Sequence, residues 1–200
     1  MTAPFEIIAG PITAYQAAVG EAFPVVEVTP AGNWAQIGTS GDQNITEDGV
    51  TIAHPDEQEM FYSLGGTGPR KVFRVREGLI VRFILADLSL EQYRHVLNSN
   101  AVADTAAGGG FAGFRSLDMY RGSSVAQFAL LLRGTFSAYG ASWNSQFQIP
   151  VCSMAASPEP VFVKGVPAAL AFEFVTLEDP NAATSADRFG KIVVQDAAVV

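Results

Sequence analysis

The chain is poor in cysteine, in histidine, in charge and, over its first third, in any base at all. Cys152 is the one cysteine in 200 residues, which excludes an intrachain disulfide and a cysteine-rich zinc site. Two histidines, His54 and His95, leave little for imidazole chemistry, and neither has a second His or a Cys at metal-ligand spacing. Charged residues are 16% of the chain, against about 25% in an ordinary soluble domain. Little charge is therefore left to cover a free surface, and burial against further copies of the chain would account for the shortage. The 12 Lys and Arg face 20 Asp and Glu, a net charge of −8. That excludes a generic DNA binder, whose affinity comes from bases that neutralise phosphates. The longest apolar runs, Val125–Leu132 and Val166–Phe172, are strand-sized, well short of the roughly 18 residues of a membrane span. MTAPFEIIAG has no Lys or Arg ahead of its apolar residues, so a secretory signal is not expected and a cytosolic origin is.

What is present is 48% hydrophobic residues, enough for one sizeable core and too many for overall disorder. The charge is unevenly placed. Nine acids (Glu6, Glu21, Glu27, Asp42, Glu47, Asp48, Asp56, Glu57 and Glu59) precede the first base, Arg70, so the residues before it carry −9 and the rest +1. A basic burst follows at once in Arg70, Lys71, Arg74 and Arg76. A solvated acidic face is one reading of this split. The others are that acidic and basic surfaces meet across subunits, or that the acids line something.

Alternation with a period of two dominates the pattern and predicts a mostly β chain. Strands are expected at Phe23–Thr29, at Trp34–Ile37 in short form, at Val50–His54, and at Val72–Arg76 with a hairpin turn at Glu77-Gly78. Further strands are expected at Leu79–Leu88, Phe114–Arg121, Val125–Arg133, Phe147–Met154 and Ala168–Leu177, with an edge strand or arm at Lys191–Gln195. In Leu79–Leu88, Val81, Phe83 and Leu85 share one face; in Ala168–Leu177, Leu170, Phe172 and Phe174 do. One helix of about ten residues is expected over 89–98, with Ser89 as N-cap and Leu90, Tyr93, Val96 and Leu97 on its apolar face. The architecture implied is a single domain over residues 1–200. It is a β-sandwich or partly closed barrel with one short helix, a long loop arm over about 55–71, and flexible ends at 1–20 and 180–200.

Motifs for chemistry are weak. Gly108-x-Gly110-x-x-Gly113 follows a helix and precedes a strand-like segment, the reverse of what a dinucleotide fingerprint needs. Gly65–Lys71 has phosphate-loop ingredients in the wrong order. Glu57 and Glu59 would share a strand face, but glycosidase carboxylates flank a cleft from different strands. Met60, Phe61, Tyr62 and Leu64 stand out, because large apolar residues in a long connection suit a protein interface. Folding back onto the domain's own core is the competing reading.

A further pattern spans Phe23–Pro180. It starts at Trp34…Ile37-Gly38 and continues through GVTIAH at Gly49–His54 and a long connection with an apolar tip. REGLIVRFILADLSLEQYRHVL at Arg76–Leu97 and AFEFVTLEDP at Ala171–Pro180 complete it. This order resembles the major tail tube proteins of long-tailed bacteriophages and gene-transfer particles. The resemblance implies a structural virion protein with no enzymatic activity, cofactor or metal. Such a protein self-assembles into hexameric rings that stack into a hollow tail tube, through which DNA passes without specific binding. It implies copies of the chain and other tail proteins (tape measure, terminator, baseplate) as partners, no membrane, and a place in the virion tail after assembly in the host cytoplasm. The interface candidates are then Met60, Phe61, Tyr62, Leu64, Arg70, Lys71, Arg74 and Arg76, and the candidate lumen acids Asp42, Glu47, Asp48 and Glu27. Acidic walls repel phosphate, and closing strands between copies removes sheet edges. A decoration, neck or baseplate protein, or a secretion-system tube subunit, would share this composition. A carbohydrate-binding module or enzyme on a β-sandwich would need convergent acids or aromatics around a pocket, and the sequence offers no such set.

Overall fold

A computed structural model describes residues 10–140 and 143–198. The chain is mostly β, as its alternation predicts, and forms a β-sandwich-like domain whose sheets do not close into a barrel. The strands are β1 (Ile12–Ala17), β2 (Ala35–Gln36), β3 (Thr51–Ala53), β4 (Asp56–Tyr62), β5 (Pro69–Glu77), β6 (Ile80–Leu85), β7 (Val102–Thr105), β8 (Phe114–Leu117), β9 (Gln127–Gly134), β10 (Ser145–Met154), β11 (Leu170–Thr176) and β12 (Lys191–Val194). Helix α1 spans Leu90–Val96. The main antiparallel sheet has eight strands in the order β2-β1-β9-β10-β11-β6-β3, with β12 paired to the first half of β10. β4-β5 and β7-β8 are separate two-stranded hairpins. None of the described helices is long and apolar enough to cross a membrane.

The core lies where the large apolar residues alternate. Val81, Phe83 and Leu85 of β6 and Leu170, Phe172 and Phe174 of β11 are all buried, together with Phe128, Leu130 and Leu132 of β9. Phe83 stacks on Phe172 at 5.1 Å between centroids, and Phe174 meets Phe128 edge-on at 5.5 Å. β10 bridges the two halves of the sheet. Its register against β9 slips by one residue between Ile149 and Cys152, around Pro150, whose missing N–H cannot join a ladder. Cys152 is buried, its thiol donates to the Phe128 carbonyl oxygen at 3.4 Å, and burial pushes its pKa well up.

Several expectations are corrected. Phe23–Thr29 forms no strand. It is a strap over the second face of β1-β9-β10, where Tyr15, Ala17, Trp34, Ala129 and Leu131 make a smaller buried cluster with Phe23 packed on it. The strap is held by scattered bonds rather than a ladder: Trp34 Nε1 donates to Ala22 O at 3.0 Å, and Arg133 Nη1 donates to Val28 O. Arg133 is itself buried, and with its amide oxygen turned inward Gln146 accepts from Arg133 Nη1 at 2.9 Å. Burial lowers the Arg133 pKa. The expected flexible segment 1–20 contains β1, a strand paired on both sides, although residues 1–9 lie outside the described part. Likewise 180–200 contains β12, which is tied to β10.

The helix is shorter than expected and ends at Val96, with Asn98 and Ser99 beyond it in the left-handed region at φ 64° and 60°. Ser89 stands at the N-cap position, but its hydroxyl makes no capping bond; Asp87 accepts from the Ser89 N–H at 3.1 Å instead. Burial raises the Asp87 pKa, but bonds from Thr39 and Ser89 outweigh it and hold the carboxyl below its usual range. The hairpin turn expected at Glu77-Gly78 is absent: β5 pairs with β4, and β6 pairs with β3.

Two predictions arise from the fold itself. Gly190 has φ +105°, and a Cβ there would lie 2.0 Å from Gln148 O. Gly190→Ala should therefore cost about 1–3 kcal/mol and loosen β12 from β10, read as a lower urea midpoint and faster amide exchange in 191–194. His95 lies mostly buried with no partner for Nδ1; burial first, then the adjacent Arg94, lower its pKa to about 4. The unfolded chain takes up this proton near pH 6.5, and the folded chain only near pH 4. Stability is thus full above pH 6.5 and falls as the pH drops towards 4. The loss should reach about 2–3 kcal/mol, and a His95→Asn variant should lack that slope in urea titrations at pH 7 and 4.5.

Candidate assembly surface

The 55–71 connection is not a loop. β4 and β5 form an antiparallel hairpin that projects from the sheet as an arm, and every residue of both strands is exposed. It continues the β3-β6 ladder. Thr51 faces Arg82, Ala53 faces Ile80, and beyond a break at Pro55 the same register resumes at Asp56 and Glu77. The break is bridged by Gly78 N donating to Pro55 O at 3.0 Å. Two register shifts follow, between Glu57 and Gln58 and between Phe61 and Tyr62; such bulges bend and twist a ribbon.

The arm's base is polar. Arg74 Nε lies 2.8 Å from Asp56 Oδ1, Arg74 Nη1 lies 3.1 Å from Glu77 Oε2, and Arg76 Nη1 lies 3.4 Å from Glu57 Oε2. The Asp56 carboxyl is held below its usual range, first by the Gln58 hydrogen bond and then by Arg74. A cavity of about 400 Å³ opens between this base and the ends of β10 and β12, lined by His54, Asp56, Arg74, Glu77 and Lys191 among others. Its two carboxylates are already engaged by Arg74.

Beyond the base the arm turns apolar on both faces. Met60 faces Val72, Glu59 faces Phe73, and Phe61 faces Lys71, whose Nζ sits 5.0 Å from the Phe73 ring centroid. Met60, Phe61, Tyr62, Val72, Phe73 and Val75 are each about half exposed, and Leu64 in the turn is fully exposed. An isolated two-stranded hairpin is marginal in water, and one with apolar side chains on both faces has no core of its own to cover them.

The structure thus brings Met60, Phe61, Tyr62, Leu64, Arg70, Lys71, Arg74 and Arg76 onto one projecting element. Sequence reasoning missed Val72, Phe73 and Val75, which the alternation of β5 could have supplied. Arg74 and Arg76 are tied to the arm's own acids, while Arg70 and Lys71 have no ion pair among the described residues. The acid candidates are dispersed. Asp42 lies in the 3-10 turn Gly41–Asn44, Glu47 and Asp48 lie in the turn before β3, and Glu27 lies on the strap. The Gly108–Gly113 stretch is the tip of the β7-β8 hairpin and leads into a strand, with no helix start for a phosphate. Among the described residues, no three of His, Cys, Asp and Glu gather as a metal-holding group. Compared with family models and with curated proteins, the chain matches none.

Proposed function

We propose that this chain is a self-assembling structural subunit of a hollow, stacked-ring tube of the phage tail tube kind. The observation that carries the reading is the arm: a ribbon with its base charges paired internally and apolar side chains on both faces. Such a ribbon is marginal in water until something covers it, and further copies of the chain are the cover always at hand for a self-assembling subunit. The eight-stranded sheet also ends in short strands, β2 and β3, whose outer edges are open to pairing with another chain. The low charge content and acidic balance support the reading as well, since a passage for DNA must not bind phosphate. Hexameric rings, a lumen lined by part of the acidic set, and contacts with other tail proteins belong to this proposal.

Negative-stain electron microscopy of the purified protein tests it. Hollow filaments or stacked rings of constant diameter are the expected result. A protein that stays monomeric at high concentration would overturn the reading, and binding of the monomer to glycans would favour a carbohydrate-binding module instead.

A further inference from the structure

Resting on the self-assembly just proposed, we infer that the arm of one copy docks head-to-tail on the opposite end of a second copy, against the 155–169 excursion and its acidic flank. The strand registers place these two surfaces at opposite ends of the sheet. The arm leaves β6 at Ile80 and points away from Leu85. β10 runs antiparallel to β11, with Cys152 opposite Thr176 and Met154 opposite Phe174, and Ala155 N donates to Glu173 O. The chain therefore leaves β10 heading towards the Leu170 end and re-enters the sheet at Leu170, which faces Leu85. The excursion between them turns tightly at Val163 and Val166, and it holds out Val161, Phe162, Val163 and Val166, of which Phe162 is 76% exposed.

The charges of the two ends are complementary. The arm carries Arg70 and Lys71 and one acid, Glu59, all outside the ion pairs found among the described residues, which leaves its unpaired charges an excess of +1. Towards the far end a cavity is lined by Asp48 together with Ala156 and Ser157 at the root of the excursion, and by Arg82 and Glu173, which pair with each other at 2.7 Å; Glu47 precedes Asp48 in the same turn. Both are exposed and also outside those ion pairs. Glu159 and Lys164 within the excursion offset each other, so the acidic excess comes from Glu47 and Asp48. Apolar residues with a basic fringe at one end thus match apolar residues with an acidic fringe at the other. The two surfaces differ, so their union is heterologous: it repeats into rings or open stacks rather than closing as a two-fold dimer. This moves Glu47 and Asp48 from a channel wall to a contact between copies.

Leu64→Cys and Phe162→Cys variants of the full chain test the docking with a bis-maleimide cross-linker. Cys152 is buried and should not react. Cross-linked dimer should be at least tenfold more abundant when the two variants are mixed than in either alone. As a second measurement, Arg70→Glu with Lys71→Glu should block assembly, and Glu47→Lys with Asp48→Lys on the same chain should restore it. Cross-linking of Leu64→Cys to itself would show an arm-to-arm contact and overturn the inference. Absence of cross-links in the mixture, while unmodified protein forms oligomers by light scattering, would overturn the docking and leave self-assembly standing. Unmodified protein that remains monomeric would remove both.

Discussion

Replacing Phe61 and Tyr62 together by serine should abolish polymerisation while leaving a folded monomer. Both side chains are more than half exposed, at 57% and 54%, and neither belongs to either buried cluster. Exposed substitutions of this sort change global stability by about 0.5 kcal/mol or less, so the thermal midpoint and the far-ultraviolet spectrum should hold. Assembly responds differently. Truncating a central aromatic anchor commonly costs about 2 kcal/mol or more per contact. Two such losses should raise the concentration needed for assembly by roughly a hundredfold or more. Light scattering and electron microscopy across a concentration series read this directly. Normal tubes from the double variant would remove the arm from the assembly interface. A loss of monomer stability would instead reveal that the arm packs on its own domain.

The arm shows where sequence reasoning reached and where it stopped. Met60, Phe61, Tyr62 and Leu64 are conspicuous because they sit among acids and glycines, outside the alternating runs on either side. The strand character of the arm's first half was hidden for a related reason, whereas Val72–Arg76 in its second half alternates and is expected as a strand. Met60, Phe61 and Tyr62 are consecutive, so they occupy both faces of β4, and alternation cannot reveal a ribbon that is exposed on both sides. The opposite case is β6 and β11. There Val81, Phe83 and Leu85, and Leu170, Phe172 and Phe174, each point one way into the core, and a period of two gives both the strand and its face. β1 escaped because ITAYQA carries small alanines at two of its three buried positions, Ala14 and Ala17, with only Tyr15 large among them. The strap failed in the other direction. Phe23–Thr29 has the β-branched composition of a strand, but it lies on sheet faces that β1, β9 and β10 already present and is held by isolated carbonyls, Ala22 O accepting from Trp34 and Val28 O from Arg133 of β9.

Charge was legible as a distribution but not as a field. Along the chain, the acids before Arg70 look like an unopposed block. In space, the hairpin folds Asp56 onto Arg74 and Glu57 onto Arg76. The basic burst pairs with Asp56 and Glu57, and among the described acids before Arg70, Glu21, Glu27, Asp42, Glu47, Asp48 and Glu59 stand outside any ion pair. Pairing set by strand register is non-local, and no residue pattern along the chain announces it. The same registers that neutralise the arm's base leave Arg70 and Lys71 beyond the paired region.

The largest loss of stability should come from Phe174→Ala. Phe174 is fully buried at the meeting of β11, β10 and β9, with its ring 5.5 Å from Phe128 and 5.7 Å from both Phe83 and Phe172. Removing it deletes buried apolar surface and leaves a void between rings that rigid strands cannot close, a combination that costs about 3–5 kcal/mol. That is a large share of the roughly 5–15 kcal/mol that holds a domain together. Urea unfolding should show a much lower midpoint with little change in slope. Phe174→Leu keeps most of the volume and should lose far less, so the two variants separate a packing defect from a general intolerance of change at this site. Assembly supplies the contrast with the arm. At temperatures where Phe174→Ala remains folded it should still form tubes, because its side chain lies inside one copy, whereas the serine variants of Phe61 and Tyr62 should stay folded and fail to assemble. If Phe174→Ala and the arm variants lost stability and assembly together, the division between a self-sufficient core and an arm that needs a partner would fall.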